Sequence, residues 1–262
     1  MEVVIVPDRE AAGEIVGGAI ADLVHRHPEA VLGVATGSTP LPVYADLARR
    51  HAAGDLSLAK ARAFLLDEYV GLPRDHPQAY RTFIAQELEA QVDFKPNAVA
   101  GPDVRADGRA LLQACDDYEA AIRWAGGVDL QLLGIGTDGH IGFNEPGSSL
   151  ASRTRIKTLT DQTREDNARF FASLDEVPRH VVTQGIGTIL DARHLVLLAF
   201  GSSKAAAVAA AVEGPVSAML PASALQLHPH ATVVVDDAAA SKLSLAGYYR
   251  ETWAHKPSWQ GI

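Results

Sequence analysis

Residues 124–146 read WAGGVDLQLLGIGTDGHIGFNEP, and this stretch decides the fold. Gly126 and Gly127 stop a helical pattern that starts after Asp107 and carries Leu111, Leu112, Cys115, Tyr118 and Ile122 on one face. The apolar run 128–133 follows at once and predicts a strand buried on both faces. Glycines and polar residues then crowd its carboxyl end. Helix stop, buried strand and polar glycine loop in succession describe an αβ connection entering a parallel sheet. Working outward, apolar runs recur at 3–6, 30–35, 63–66, 194–200 and 231–235. Helical spacing lies between them, as in Ile15, Ile20 and Leu23 after an N-cap at Asp8. The alternation predicts an α/β fold: a single doubly wound, mostly parallel sheet with helices on both faces.

The chain of 262 residues is 47% hydrophobic and 21% charged, enough to bury a sizeable core. No repeat, long linker or low-complexity tract divides it, so one domain spanning 1–262 is expected. Segment 160–180, TDQTREDNARFFASLDEVPRH, breaks the rhythm with dense charge and few core positions. It reads either as a solvated surface helix or as a mobile lid over a pocket. With 23 Lys and Arg against 32 Asp and Glu, the formal charge is -9. That field disfavours nucleic acid and anionic membrane as partners. The single Cys115 makes no intrachain disulfide, the start of the chain does not read as a signal peptide, and the longest apolar run, 205–212, is too short to span a bilayer. A cytoplasmic location is expected.

Ligands of open α/β sheets bind at the carboxyl ends of strands, and three strand ends carry residues that packing alone would not select. After the run 30–35 come Thr36, Gly37, Ser38, Thr39 and Pro40. With Thr39 as N-cap and Pro40 as first helical residue, unpaired N–H groups would face outward as a seat for phosphate or carboxylate. A plain capped turn explains Thr39 and Pro40 but gives no reason for Thr36, Gly37 and Ser38. It is not a Walker loop, because no Lys follows the glycines at the required place. The run 63–66 ends in Asp67 and Glu68; alternation lets at most one face a pocket, the other meeting solvent or a cation. The third end holds a formal GxGxxG at Gly134, Gly136 and Gly139, but Gly142, Pro146 and Gly147 keep it from opening a helix. The glycines instead let backbone approach a small ligand while displaying Asp138, His140 and Glu145, an imidazole between carboxylates suited to acid–base work. The remaining His residues form no metal-ligand spacing, so no metal is expected. Arg169, in the lid-like segment, and Lys204, after the run 194–200, supply cations. Each taken singly reads as an exposed charge.

Five blocks in order carry a family resemblance: ATGSTPLPVY (35–44), LLDEYVGLP (65–73), GIGTDGHIGFNEPGSSLASRTRIKTLT (134–160), TREDNARFF (163–171) and GSSKAAAVAAAVEGPVSAMLPASALQLHPHA (201–231). The chain resembles the NagB-type glucosamine-6-phosphate deaminases over nearly its whole length. The resemblance implies a modified Rossmann-like fold and conversion of D-glucosamine 6-phosphate plus water to D-fructose 6-phosphate plus ammonia, in amino-sugar catabolism. It places the proton-transfer base on Asp67, the ring-opening imidazole on His140 and its supporting carboxylates on Asp138 and Glu145. Substrate phosphate is implied at Gly37, Ser38, Thr39, Arg169 and Lys204, and no cofactor is required. Allosteric members of the family bind N-acetylglucosamine 6-phosphate between subunits. Met1, through its terminal amine, Ser148, Arg155 and Lys157 stand where those members hold that effector, which would make the chain a homo-oligomer, hexameric if allosteric. Read from the residues alone, Arg155 and Lys157 are the polar face of a strand with Ile156 turned inward. Residues 247–262 depart from the family pattern. The alternatives are a 6-phosphogluconolactonase-like hydrolase and a non-catalytic sugar-phosphate sensor; the sequence after His140 and the full acid–base set weigh against them.

Overall fold

Each of the six apolar runs forms a strand of one seven-stranded sheet. The computed structural model describes the chain except Arg74, Ala106, Arg169, Phe170, Ala172 and Ser258, and except the side chains of Gln162, Asp166 and Asn167. In chain order the elements are β1 (Glu2–Val6), α1 (Arg9–Arg26), β2 (Val31–Val34), α2 (Leu41–Ala52), β3 (Arg62–Leu65), β4 (Asp67–Tyr69), α3 (Tyr80–Glu87), β5 (Val99–Ala100) and α4 (Gly108–Trp124). They continue as β6 (Leu130–Leu133), β7 (Arg155–Thr158), α5 (Asp161–Ala168), β8 (His180–Thr183), α6 (Ile186–Leu190), β9 (His194–Ala199), α7 (Ala205–Glu213), β10 (Ala231–Asp236) and α8 (Ala246–Ala254). The large sheet runs β1-β10-β9-β6-β2-β3-β5, and every pairing in it is parallel.

Period-two alternation divides the strand residues between two apolar layers. Val4, Leu32, Val34, Leu65, Leu132 and Val234 pack with α1 and α2 on one face. Val3, Val31, Phe64, Leu133, Leu197 and Val233 pack with Tyr118 and Ile122 of α4 and Val208 of α7 on the other. The α1–α2 contact is close because α1 presents Gly13 and Gly17 to it: a methyl at Gly13 would lie 2.5 Å from the Pro42 carbonyl oxygen, and one at Gly17 2.2 Å from Asp46 Oδ2. Asp8 caps α1 as expected, its Oδ1 accepting from the Ala11 N–H at 2.8 Å. Gly126 and Gly127, both at positive φ, end α4. Among the described residues no helix is long and apolar enough to cross a membrane.

Three features differ from the sequence reading. A second sheet, β4-β8-β7, is three-stranded and antiparallel; β3 leaves the large sheet through Leu66 and enters it as β4. Thr39 is not the N-cap of α2. Pro40 holds that position in the helical region, and its carbonyl accepts the first N–H groups, from Val43 and Tyr44. Pro42 fills the first turn, where no donor is needed. β5, the seventh strand at the edge of the large sheet, has no apolar run to mark it; α4 does start after Asp107 as read, with Asp107 at its N-cap.

From β2 the chain proceeds outward through β3 to β5, and from β6 outward in the opposite direction through β9 to β10. The direction reverses between β2 and β6, where the crevice of an open α/β sheet forms. Gly33 and Gln131 face one another there in register, and a methyl at Gly33 would strike the Gln131 amide at 1.9 Å.

Candidate active site

Parallel pairing sets the carboxyl ends of β9, β6, β2 and β3 side by side. The segments following them are Gly201–Lys204, the glycine loop from Gly134, Thr36–Thr39 and Asp67. Topology therefore brings the three strand-end motifs and Lys204 to one edge. Gly134 abuts the second loop: a methyl there would sit 3.9 Å from Thr39 Cβ. Gly37 adopts φ 85°, which only glycine takes without strain, and leaves itself and Ser38 exposed. Lys204 ends a short 3₁₀ turn leading into α7 and is half-buried. Gly37, Ser38, Thr39 and Lys204 thus share the edge; Arg169 lies outside the described residues.

His140 folds back over its own loop. A methyl at Gly136 would lie 2.3 Å from His140 Nδ1 and Cε1 and 2.7 Å from Asp138 Oδ1, so only a glycine leaves room for the ring. Nδ1 stands 2.8 Å from Asp138 Oδ1, close in distance but not aligned along the N–H direction; the His140 backbone N–H donates to the same oxygen at 3.1 Å. Burial pushes the Asp138 carboxyl up, but His140, its backbone N–H and Glu145 outweigh this and hold it below the usual range. Glu145 is buried, and its Oε1 accepts from Thr163 Oγ1 of α5 at 2.6 Å. Asp138, His140 and Glu145 each bring one atom within 4.8 Å of the others, the one such acidic-imidazole group among the described residues. The three acid–base groups therefore share one small patch of the loop. Thr163 ties the lid-like segment to this group, a link that its place among charged residues gave no reason to expect.

Asp67 is buried and belongs to β4, paired with Thr183 of β8. The His140 loop is stitched to the same place, since Phe143 N–H donates to Thr183 Oγ1 at 3.1 Å. A methyl at Gly142 would come within 3.4 Å of Asp67 Oδ2, so the carboxylate faces the loop that carries His140 and Glu145. Burial first, and the neighbouring Glu68 second, push Asp67 well above the usual carboxylate range. That environment makes Asp67 a carboxyl that ionises less readily, and as an anion is a stronger base, than an exposed one.

Glu68 corrects the sequence reading. It is buried away from solvent, and although the Arg81 charge acts on it, no ion pair holds it among the described residues: its Oε1 accepts from the N–H groups of Tyr69 at 2.8 Å and Tyr80 at 2.9 Å, and its Oε2 from the N–H of Arg81 at 2.8 Å. Glu68 therefore caps the first turn of α3. Beyond it lies a cavity of about 270 Å³ bordered by Glu68, Leu72, Arg81, Asn97 and Arg105 but not by Asp67 or His140. Its arginines pair with Glu89 and Asp103.

Arg155 and Lys157 lie on β7 two residues apart and half-buried, with Ile156 packed against Cys115 and Val182. Burial holds the Arg155 guanidinium below its ordinary value. Ser148 is buried, and its hydroxyl has no hydrogen-bond partner among the described residues. Met1 precedes β1, at the opposite edge of the large sheet from β5.

Residues 9–235 match the family of glucosamine-6-phosphate isomerases/6-phosphogluconolactonase. Proteins named glucosamine-6-phosphate deaminase from Streptomyces coelicolor and Mycolicibacterium smegmatis are 64% and 63% identical to this chain, each aligned over 100% of both sequences. A solved structure of a monomeric glucosamine-6-phosphate deaminase superposes with TM-score 0.89 at 43% identity, over 92% of this chain and 100% of that one. A 6-phosphogluconolactonase from Trypanosoma cruzi superposes with TM-score 0.74 at 20% identity, over 93% of this chain and 97% of that one; it shares the fold.

Proposed function

The chain belongs to the glucosamine-6-phosphate isomerase/6-phosphogluconolactonase family, and from that premise we propose that it is a glucosamine-6-phosphate deaminase, releasing ammonia from D-glucosamine 6-phosphate and forming D-fructose 6-phosphate. Full-length identity of 64% to a protein of that name, against 20% to the lactonase, carries the choice between the two activities. The observation that carries the chemistry is the approach of Asp67 to the loop bearing His140 and Glu145.

Opening the pyranose moves a proton from O1 to O5. His140 is assigned this task, with Asp138 and Glu145 near enough to stabilise a proton on the ring. In the open aldehyde the C2–H bond lies next to the carbonyl. Asp67 takes that proton, giving an enolamine, and returns it at C1, leaving an iminium at C2. Water adds at C2 and ammonia departs. Each positioned acid or base contributes about 10²–10⁴ in rate, and anchoring the phosphate supplies orientation. Gly37, Ser38, Thr39 and Lys204 form the phosphate seat, with Arg169 assigned to it from sequence alone. Residues 160–180 act as a lid across this edge in a one-domain chain, and the Thr163–Glu145 hydrogen bond supports that reading.

The same reading extends to an effector. N-acetylglucosamine 6-phosphate is assigned to Ser148, Arg155, Lys157 and the Met1 amine at a subunit boundary, supported by the unpartnered Ser148 hydroxyl and the half-buried Arg155. Ammonia release with and without that effector, paired with a solution mass, tests it. Activation in an oligomer supports it; an unaffected monomer removes it. For the main reading the experiment offers both substrates. Ammonia from glucosamine 6-phosphate with background hydrolysis of 6-phosphogluconolactone is expected, and the reverse result overturns it.

A further inference from the structure

Glu68 is 5% exposed, and each oxygen faces backbone donors, three in all, two of them opening α3. A carboxylate in that setting does two things. It fixes α3 against β4, and through α3 it fixes Tyr80, whose ring lies parallel to Phe143 of the His140 loop at 6.1 Å and whose hydroxyl donates to that of Tyr69 at 3.3 Å. It also keeps a negative charge one residue from Asp67 in the same strand. Burial outweighs the other influences and leaves Glu68 above its ordinary range, but three N–H donors and the start of a helix offset part of that cost in favour of the ionised form. Among the described residues no comparable donors reach Asp67, which burial raises further, so when the pair shares one proton it resides on Asp67.

We propose that Glu68 is a positioning residue for the deamination: its buried, amide-bound carboxylate locks α3 and the Tyr80–Phe143 contact in place and sets the electrostatic environment in which Asp67 works. The proposal deepens the deaminase reading and rests on it for its kinetic arm. Removing the charge should make Asp67 easier to ionise, so the acid limb of the pH–rate profile moves to lower pH. Removing only the packing role would lower kcat and leave the limb in place.

The experiment compares pH profiles of ammonia release for the wild type, Glu68→Gln and Glu68→Asp. Glu68→Gln is expected to lose roughly tenfold in kcat through misplacement of α3, with its acid limb shifted to lower pH. Glu68→Asp keeps the charge, so its limb should coincide with that of the wild type while kcat falls. An unmoved or upward-shifted limb in Glu68→Gln overturns the proposal. A second measurement needs no variant fold of Glu68: ¹³C carboxyl titration of the wild type, with the Asp67 signal assigned from Asp67→Asn. Glu68 titrating below Asp67 is the expected order, and the reverse order overturns the proposal. If the wild type releases no ammonia, the deaminase reading has failed, and the titration order still decides the electrostatic claim separately.

Discussion

Replacing Gly136 with Ala tests the His140 assignment without touching any reacting group. Gly136 is not at positive φ, so the backbone accepts Ala, and an added methyl in a loop narrows the unfolded ensemble by about 0.4–1 kcal/mol in favour of folding. The cost falls on the ring. The methyl would lie 2.3 Å from His140 Nδ1 and Cε1, whereas ordinary contact needs about 3.5 Å, so the imidazole must move by roughly 1 Å. Its side chain is 29% exposed, which gives it an outward path and spares the core. A displacement of about 1 Å at a catalytic group costs on the order of 10²-fold, equivalent to about 2.7 kcal/mol of transition-state stabilisation. Steady-state ammonia release should therefore fall about 10²-fold in Gly136→Ala, with the melting temperature within a few degrees of wild type. Inhibition by the open-chain alditol 6-phosphate, which needs no ring opening, should change little. Wild-type turnover in this variant would refute the role given to His140 in the observed pose.

Asp67→Asn should be more stable than the wild type at neutral pH. The folded state raises the Asp67 pKa, so wild-type stability falls as pH rises through the folded value. Asn does not titrate; a gain of about 2–4 °C in melting temperature, or roughly 1 kcal/mol, should appear at pH 7–8 and vanish below about pH 4, and its absence would show that the buried charge costs nothing. Thr163→Val removes the hydroxyl that donates to Glu145 and should lower kcat roughly 3- to 10-fold, within the worth of a hydrogen bond to a carboxylate, with Thr163→Ser restoring it; equal kcat in all three would disconnect Thr163 from the chemistry. His194, stacked on His230 with ring centroids 3.6 Å apart, is held down to about 3 by burial and then by the charges of His230, His228 and Lys256. The unfolded chain therefore binds that proton first, and stability falls as pH drops below about 6.5. Chemical denaturation should show His194→Gln sparing about 1–2 kcal/mol of the loss between pH 6.5 and 5, and parallel pH curves would contradict this.

Six strands of the large sheet were legible because strands buried on both faces are predominantly apolar, as 128–133, 194–200 and 231–235 are with only Asp129, Gln131, His194 and Thr232 interrupting them; the two-residue β5 is too short to leave such a run. The small sheet was not. β4 is Asp-Glu-Tyr and β7 is Arg-Ile-Lys-Thr, three- and four-residue strands whose polarity reads as loop; what makes them strands is pairing with β8, which is distant in sequence. The carboxyl-end rule brought Asp67, His140 and Thr39 to one edge without any distance being known. It did not place the N-cap of α2, since Thr39 and Pro40 are both acceptable there and the choice depends on Pro40 adopting helical angles. Alternation correctly separated Asp67 from Glu68 but could not say what Glu68 meets. Its donors arrive from Tyr80 and Arg81, brought back by the turn at the start of α3.

The most direct measurement is turnover of glucosamine 6-phosphate by the wild type and by Asp67→Asn side by side, with binding of the sugar phosphate followed by calorimetry. The wild type should release ammonia and fructose 6-phosphate in equal amounts, and Asp67→Asn should bind the sugar while releasing neither. Ammonia release undiminished in Asp67→Asn, or none from the wild type, would contradict the assignment of this edge of the sheet as a deaminase site.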